Sequence, residues 1–212
     1  MIFPVVEIFA SLEGEGSWMG RQSAFVRLFG CNLRCDWCDT KESYGPGGRC
    51  EELALETIVD RIRMLEVGFV TLTGGEPFLQ EQLPALCAAL IEAGFRVKIE
   101  TNGTLWQPGM DSLPAGSVFI ACSPKPEEYA VHPRIAEQVN ELKFVVDERL
   151  RVMDVLREPF YEAYKRGVPF VLQLENNDPG SLERALIIQK KLFLLGYEAR
   201  VLPQLHKLLS IA

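Results

Sequence analysis

Apolar residues fall at strand spacing over residues 5–9 and 24–29, and each segment predicts a strand. Between them, Ser11-Leu12-Glu13-Gly14-Glu15-Gly16-Ser17 mixes glycines with polar and charged residues and predicts a loop. A cysteine-rich loop and a Gly/Pro stretch over 44–48 follow. From residue 53 the period changes. Residues 53–65 carry apolar positions at helical spacing, 69–73 form a short strand closed by Gly74-Gly75, 83–93 a helix stopped by Gly94, and 96–100 the next strand. Further strands are predicted over 118–121, 142–146, 168–174 and 198–202, with helices over 152–165 and 182–195 separating the last three. This alternation predicts an α/β fold with a parallel sheet, open or partly closed into a barrel, because parallel neighbours need crossover helices. Reactive groups then belong on the loops after the carboxyl ends of strands.

Composition narrows the partners. The chain has 212 residues, 48% apolar and 24% charged, as expected of one folded domain spanning 1–212. A formal charge of -7, with no run of Lys or Arg, argues against a nucleic-acid partner. The longest apolar run, residues 85–91, has seven residues, against the roughly 20 that a membrane-spanning helix requires. Residues 1–12 are apolar but lack a basic start and are broken by Glu7, so a signal peptide is not expected and a cytoplasmic location is. In that compartment six cysteines read as metal ligands or buried thiols rather than as a disulfide framework.

Three of them stand in Cys31-Asn32-Leu33-Arg34-Cys35-Asp36-Trp37-Cys38. Three thiolates on one loop suit three irons of a [4Fe-4S] cube and leave the fourth iron open to an external molecule. Structural zinc is the rival, but it wants four closed ligands. Cys50 is the only nearby candidate, and His132 and His206 are distant in sequence. Cys50, Cys87 and Cys122 lack ligand spacing; Cys87 sits on a helical apolar stripe and is expected in the core, as are Met64 and Met153.

Four further segments end predicted strands: Thr73-Gly74-Gly75-Glu76-Pro77, Glu100-Thr101-Asn102-Gly103, Ser123-Pro124-Lys125-Pro126 and Gln173-Leu174-Glu175. Two glycines allow a ligand close to the backbone. Each segment taken singly also reads as a turn, a capped turn or a surface loop. Their shared placement raises them to candidates. Arg27 alternates onto the same face as Phe25 and Phe29, where a charge needs a partner. Thr40 by itself reads as a turn cap.

The cysteine spacing, with an aromatic residue before the third thiol, resembles the radical S-adenosylmethionine (SAM) enzymes, whose open iron chelates SAM. Glu7-Ile8-Phe9-Ala10-Ser11-Leu12-Glu13-Gly14-Glu15-Gly16, Gly20-Arg21, Phe25-Val26-Arg27, Gly30-Cys31 and Cys38-Asp39-Thr40 further resemble the 7-carboxy-7-deazaguanine synthase family, and the likeness runs through the tail from Gln204. It implies a partial (β/α) barrel of the radical SAM type and a lyase that converts 6-carboxy-5,6,7,8-tetrahydropterin to 7-carboxy-7-deazaguanine, on the route to queuosine, with loss of ammonia. The cofactors implied are a [4Fe-4S] cluster on Cys31, Cys35 and Cys38, SAM, and Mg²⁺ on Thr40. SAM would lie against Trp37, Asp39, Gly75, Glu76, Glu100, Asn102, Ser123, Pro124, Lys125, Gln173 and Glu175. The pterin would meet Leu12, Glu13, Gly14, Glu15, Arg27, Thr73, Gln204, His206 and Ala212. A flavodoxin-like reductant and a homodimer are implied as well. Two positions depart from the family pattern: Gln is expected where Glu13 stands, and the family tail ends in proline rather than Ala212. An activase that places a glycyl radical on a protein partner shares the cysteine spacing, and a zinc-stabilised binding module is the non-catalytic alternative.

Overall fold

The computed structural model describes every residue except Trp37, Pro46, Glu127 and Ala212. It divides the chain into two compact units. The first comprises Met1–Ser11, Gln22–Thr101 and Leu105–Phe119, and the second Leu12–Arg21, Asn102–Thr104 and the chain from Ile120 onward.

In the first unit the strands run in the order β3 (Glu51–Ala54), β1 (Ile2–Leu12), β2 (Gln22–Leu28), β4 (Phe69–Gly74) and β5 (Arg96–Thr101). β3 lies antiparallel to β1, whereas β2, β4 and β5 are mutually parallel. The crossovers are α1 (Leu55–Arg63), which buries Ile58, Val59 and Ile62, and α2 (Leu83–Glu92), which buries Leu83, Leu86, Cys87 and Leu90. Register sets two different faces. Ala24, Val26, Val70, Leu72, Val97 and Ile99 form an apolar face. The alternate residues Phe25, Arg27, Thr71, Thr73 and Lys98 form a face with polar and charged members.

The second unit has the order β6 (Val118–Cys122), β7 (Glu141–Val146), β8 (Phe170–Leu174) and β9 (Arg200–Leu202), all parallel. One face of β7 and β8 carries Leu142, Phe144, Val146, Phe170, Leu172 and Leu174. Phe144 is its centre, edge-on to Phe160 at 5.2 Å and tilted to Phe170 at 5.8 Å and Tyr129 at 6.3 Å. The opposite face carries Glu141, Lys143 and Gln173. α6 (Pro179–Leu194) begins where Asp178 accepts from the Ser181 amide at 3.0 Å and proline takes the first turn, which needs no amide donor.

Some expectations are corrected. Residues 53–65 open as the strand β3 before turning into α1, and residues 152–165 divide into α4 (Val152–Val155) and α5 (Phe160–Lys165). Pro159, which has no amide to donate, lies at the break and forces it. Met64 and Met153 are not core residues: they are 74% and 71% exposed. Met64 follows the last turn of α1, and Met153 lies on a helix too short to bury a full stripe. Cys87 is buried as expected, and burial pushes its thiol up to about 12. The short helices α3 (Pro133–Gln138) and α7 (Leu205–Leu209) complete the fold. Among the described residues no helix is long and apolar enough to cross a membrane.

Because Phe144 fills the aromatic centre of the second unit, Phe144→Ala is expected to lower stability by about 3–5 kcal/mol, read from denaturant midpoints. Met64→Ala is expected to leave the midpoint unchanged.

Candidate active site

The cysteine loop starts at Gly30, whose φ of +102° admits few side chains and whose amide donates to the Ser43 carbonyl at 2.7 Å. The end of β4 holds this start in place: the Gly75 amide donates to the Leu28 carbonyl at 3.0 Å and the Glu76 amide to Gly30 at 2.8 Å. A Cβ on Gly74 would strike the Leu28 backbone, and one on Gly75 would strike the Gly30 carbonyl. The paired glycines therefore let one segment of this chain seat against another, here the one that carries the first cysteine.

Within the loop, Cys31 Sγ accepts from the Leu33 amide at 3.4 Å, and the Cys38 amide donates to the Cys35 carbonyl at 3.2 Å. Arg34 ties the loop to itself through the carbonyls of Cys31 and Leu33, at 2.6 and 2.7 Å. None of the three thiols is joined in a disulfide, and all three are half-buried. Burial pushes Cys31 up, as do the negative charges of Glu76, Cys35 and Cys38, against the pull of the Leu33 amide. Tyr44, hydrogen-bonded to Cys38, is pushed up to about 12 by its own burial and then by the same thiols. Ionised together, three thiolates on so short a loop would repel one another, and a cationic group between them would relieve that repulsion.

The remaining candidates of this unit are placed as follows. Thr40 precedes the turn Lys41–Ser43, and its side chain makes no cap bond; Oγ1 lies 3.5 Å from the Gly74 carbonyl and 3.6 Å from Cys38 Sγ. Asp39 is exposed, and Trp37 lies outside the described residues. Glu76 is fully buried and accepts from the Phe78 amide at 3.0 Å and Thr101 Oγ1 at 2.7 Å. Glu100 pairs at 2.6 Å with Lys98, a lysine with no exposure at all. Arg27 stands opposite Thr73 in the register. The partner its charge requires is Glu7 on β1, 2.7 Å from Nε, while the guanidinium covers the Phe9 ring.

In the second unit, loop residues 12–16 meet the tail. The Leu205 amide donates to the Gly14 carbonyl at 2.9 Å, and the His206 imidazole fills the space a Cβ on Gly14 would need. Gln204 Nε2 donates to Glu15 Oε1 at 2.9 Å, and Lys143 Nζ lies 3.0 Å from Oε2. Burial opposes ionisation of Glu15, but the Lys143 ammonium, the Gln204 amide and the His206 ring outweigh it and hold the carboxyl near 2. Asn177 fixes the Gln204 backbone from both sides, accepting its amide proton at 2.6 Å and donating to its carbonyl at 2.9 Å. Glu13 is buried, and its backbone closes the loop onto Gly20 and Arg21. Leu12 is half-buried at the loop's start, and Ala212 lies outside the described residues.

Asn102 caps its own turn, accepting from the Thr104 amide at 2.9 Å and Thr104 Oγ1 at 2.6 Å. Lys125 donates to Ser123 at 2.9 Å across the buried Pro124. Gln173 donates to the Leu202 carbonyl at 3.0 Å, while Glu175 turns the chain into α6. Buried Oε1 atoms of Gln173 and Gln204 find no hydrogen-bond partner among the described residues, so two acceptors stand ready for donors from a ligand. Sequence reasoning missed Lys98, Glu141, Lys143 and Asn177. The first three carry a legible signal, a charge at alternate positions inside an otherwise apolar strand.

The sequence pattern of the Radical SAM superfamily matches residues 26–118. The chain is 42% identical to 7-carboxy-7-deazaguanine synthase of Aquifex aeolicus over 95% of its length and 90% of that protein. It is 36% identical to the protein of the same name from Rhodospirillum rubrum, over 98% of this chain and 92% of that one. The chain belongs to the 7-carboxy-7-deazaguanine synthase family. The crystal structure of QueE from Escherichia coli shares the fold at a TM-score of 0.76 and 25% identity, covering 97% of this chain and 95% of that one. Streptococcus suis SuiB bound to S-adenosylmethionine shares the fold alone, at a TM-score of 0.60 and 15% identity over 82% of this chain and 48% of that one.

Membership of the radical SAM class implies a [4Fe-4S] cluster and SAM, and the residues fit the cluster. Cys31, Cys35 and Cys38 offer soft donors whose mutual repulsion an iron cluster relieves. Among the described residues no group of three His, Cys, Asp or Glu is drawn together round a single ion. Gly75→Ala forces a Cβ onto the Gly30 carbonyl and, at about 1–3 kcal/mol of local strain, displaces the start of the loop. The expected outcome is less iron and sulfide bound per chain after anaerobic reconstitution, with far-UV circular dichroism unchanged.

Proposed function

We propose that this synthase-family chain converts 6-carboxy-5,6,7,8-tetrahydropterin to 7-carboxy-7-deazaguanine with loss of ammonia. The observation that carries this reading is Glu15, an ionised carboxylate held at the end of a half-buried loop by Lys143 and Gln204. An amino-pyrimidinone edge presents two N–H donors side by side, and a fixed carboxylate accepts both.

Cys31, Cys35 and Cys38 would hold the cluster, which when bound would supply the electron for reductive cleavage of SAM. The chain's own work is binding and orientation. Arg27 would pair with the substrate carboxylate: the Glu7 bond uses Nε and leaves the Nη groups for a bidentate contact. Thr73 stands beside Arg27 in the register and would contact the pterin, as would Leu12, Glu13, Gly14, Gln204 and His206. The acceptors of Gln173 and Glu175, with Asn102, Ser123, Pro124, Lys125, Gly75, Glu76, Asp39 and Glu100, would serve SAM. Thr40 would supply one oxygen to Mg²⁺, an ion that keeps most of its waters. A flavodoxin-like protein would deliver the electron. A second copy of the chain would cover the exposed apolar stripe of α6, where Leu186, Phe193 and Leu194 are at least half exposed; a monomer by light scattering would remove that part.

The test is anaerobic iron-sulfide reconstitution followed by SAM, reductant, Mg²⁺ and carboxytetrahydropterin. The deazaguanine product is expected, and SAM cleavage without it would overturn the reading. Arg27→Ala is expected to weaken pterin binding by about 2–5 kcal/mol, seen as a raised KM. In the same assay Thr40→Ala is expected to lose the stimulation by Mg²⁺ while keeping the cluster's visible absorbance.

A further inference from the structure

Lys143 lies on β7, is only 3% exposed and points its ammonium at Glu15 Oε2, 3.0 Å away. A lysine so buried keeps its charge only beside an opposite one. Gln204 donates to the other oxygen at 2.9 Å, so each Glu15 oxygen already holds one donor and keeps one lone-pair site for another. Two residues earlier on the same face, the fully buried Glu141 accepts from the Ser17 amide at 2.5 Å and from the Ser17 hydroxyl. Its carboxylate also occupies the space a Cβ on Gly16 would need. One strand thus grips the loop on both sides of Gly16.

We propose that Lys143 is a positioning residue for the substrate loop, fixing the Glu15 carboxylate in place and in charge as a two-oxygen acceptor for the pterin's amino-pyrimidinone edge. The role rests on the function proposed above. The charged and titratable groups facing this region are Lys143 and Glu141 from β7, His206 from α7 and Arg200 from β9, the last 3.7 Å from Glu141. Lys143 supplies the strongest pull against the burial of Glu15. Without it the carboxyl takes up a proton in a range where the parent stays charged, and a protonated acid no longer offers two equivalent acceptors.

The experiment has two arms. In the first, the chain carries ¹³C-labelled glutamate, the Glu15 carboxyl signal is assigned with Glu15→Gln, and the signal is titrated in the parent, Lys143→Met and Lys143→Arg. Glu15 is expected to titrate near 2 in the parent, above its ordinary 4.5 in Lys143→Met, and close to the parent in Lys143→Arg. In the second, the reconstituted enzyme turns over the pterin across the Glu15 midpoint that the first arm finds for Lys143→Met. The KM of that variant is expected to exceed the parent's by about tenfold one pH unit below the midpoint and to approach it above, with kcat little changed, because Glu15 regains its charge across that range. Circular dichroism reports whether Lys143→Met folds; Lys143→Gln, which keeps a donor without the charge, serves the same comparison. A Glu15 signal that does not move, or a KM raised equally at every pH, overturns the proposal. If the parent forms no product, the pterin role falls with the reading beneath it, whereas the titration still decides whether Lys143 holds the carboxylate.

Discussion

A charge set inside a parallel sheet must be met at hydrogen-bond distance, because the interior screens it poorly and water cannot reach it. That constraint organises both units. Lys98 is answered by Glu100, Lys143 by Glu15, and Glu141 by Ser17. Among β2, β4 and β5, and again among β7 and β8, the buried charged residues share one face and the other face is filled by aliphatic and aromatic side chains. The apolar faces hold the units together. From the polar face of the second unit Lys143 holds the Glu15 carboxylate in its charged form.

The strand ends do a different kind of work. Gly74 and Gly75 remove two side chains at the point where the backbone of β4 passes the start of the cysteine loop, so two segments meet at main-chain distance. The donors that fix the loop are peptide groups, which do not titrate, and the loop is therefore tethered whatever the charge on its thiols. In the second unit, Asn177 holds the backbone of Gln204 so that its side chain can hold Glu15. Positioning passes from a loop asparagine to a tail glutamine to the carboxylate, through bonds each between 2.6 and 2.9 Å.

Much of this was legible in the order of residues. Eight strands and the long helices follow from apolar periodicity, since a segment's own pattern reports which face it buries. The cysteine loop follows from spacing, because ligands on one short loop need no distant partner. Where the periodicity misled, a local cause explains it: Pro159 divides a helix, and Met64 and Met153 fall where no core lies above them. Asn102 Oδ1 caps its own turn by accepting from Thr104, a local contact that its place at a strand end does not by itself record.

The sequence by itself determined the α/β class, the thiol donors, the glycine-rich strand end and the need for a partner beside Arg27. Each of these depends on neighbours a few residues away or on the intrinsic chemistry of a side chain. Only the tertiary structure decided that Glu7 is that partner and that Glu15 meets Lys143 and Gln204, 128 and 189 residues further along. Such pairings are set by strand order and register, and no periodicity along the chain records which strands become neighbours.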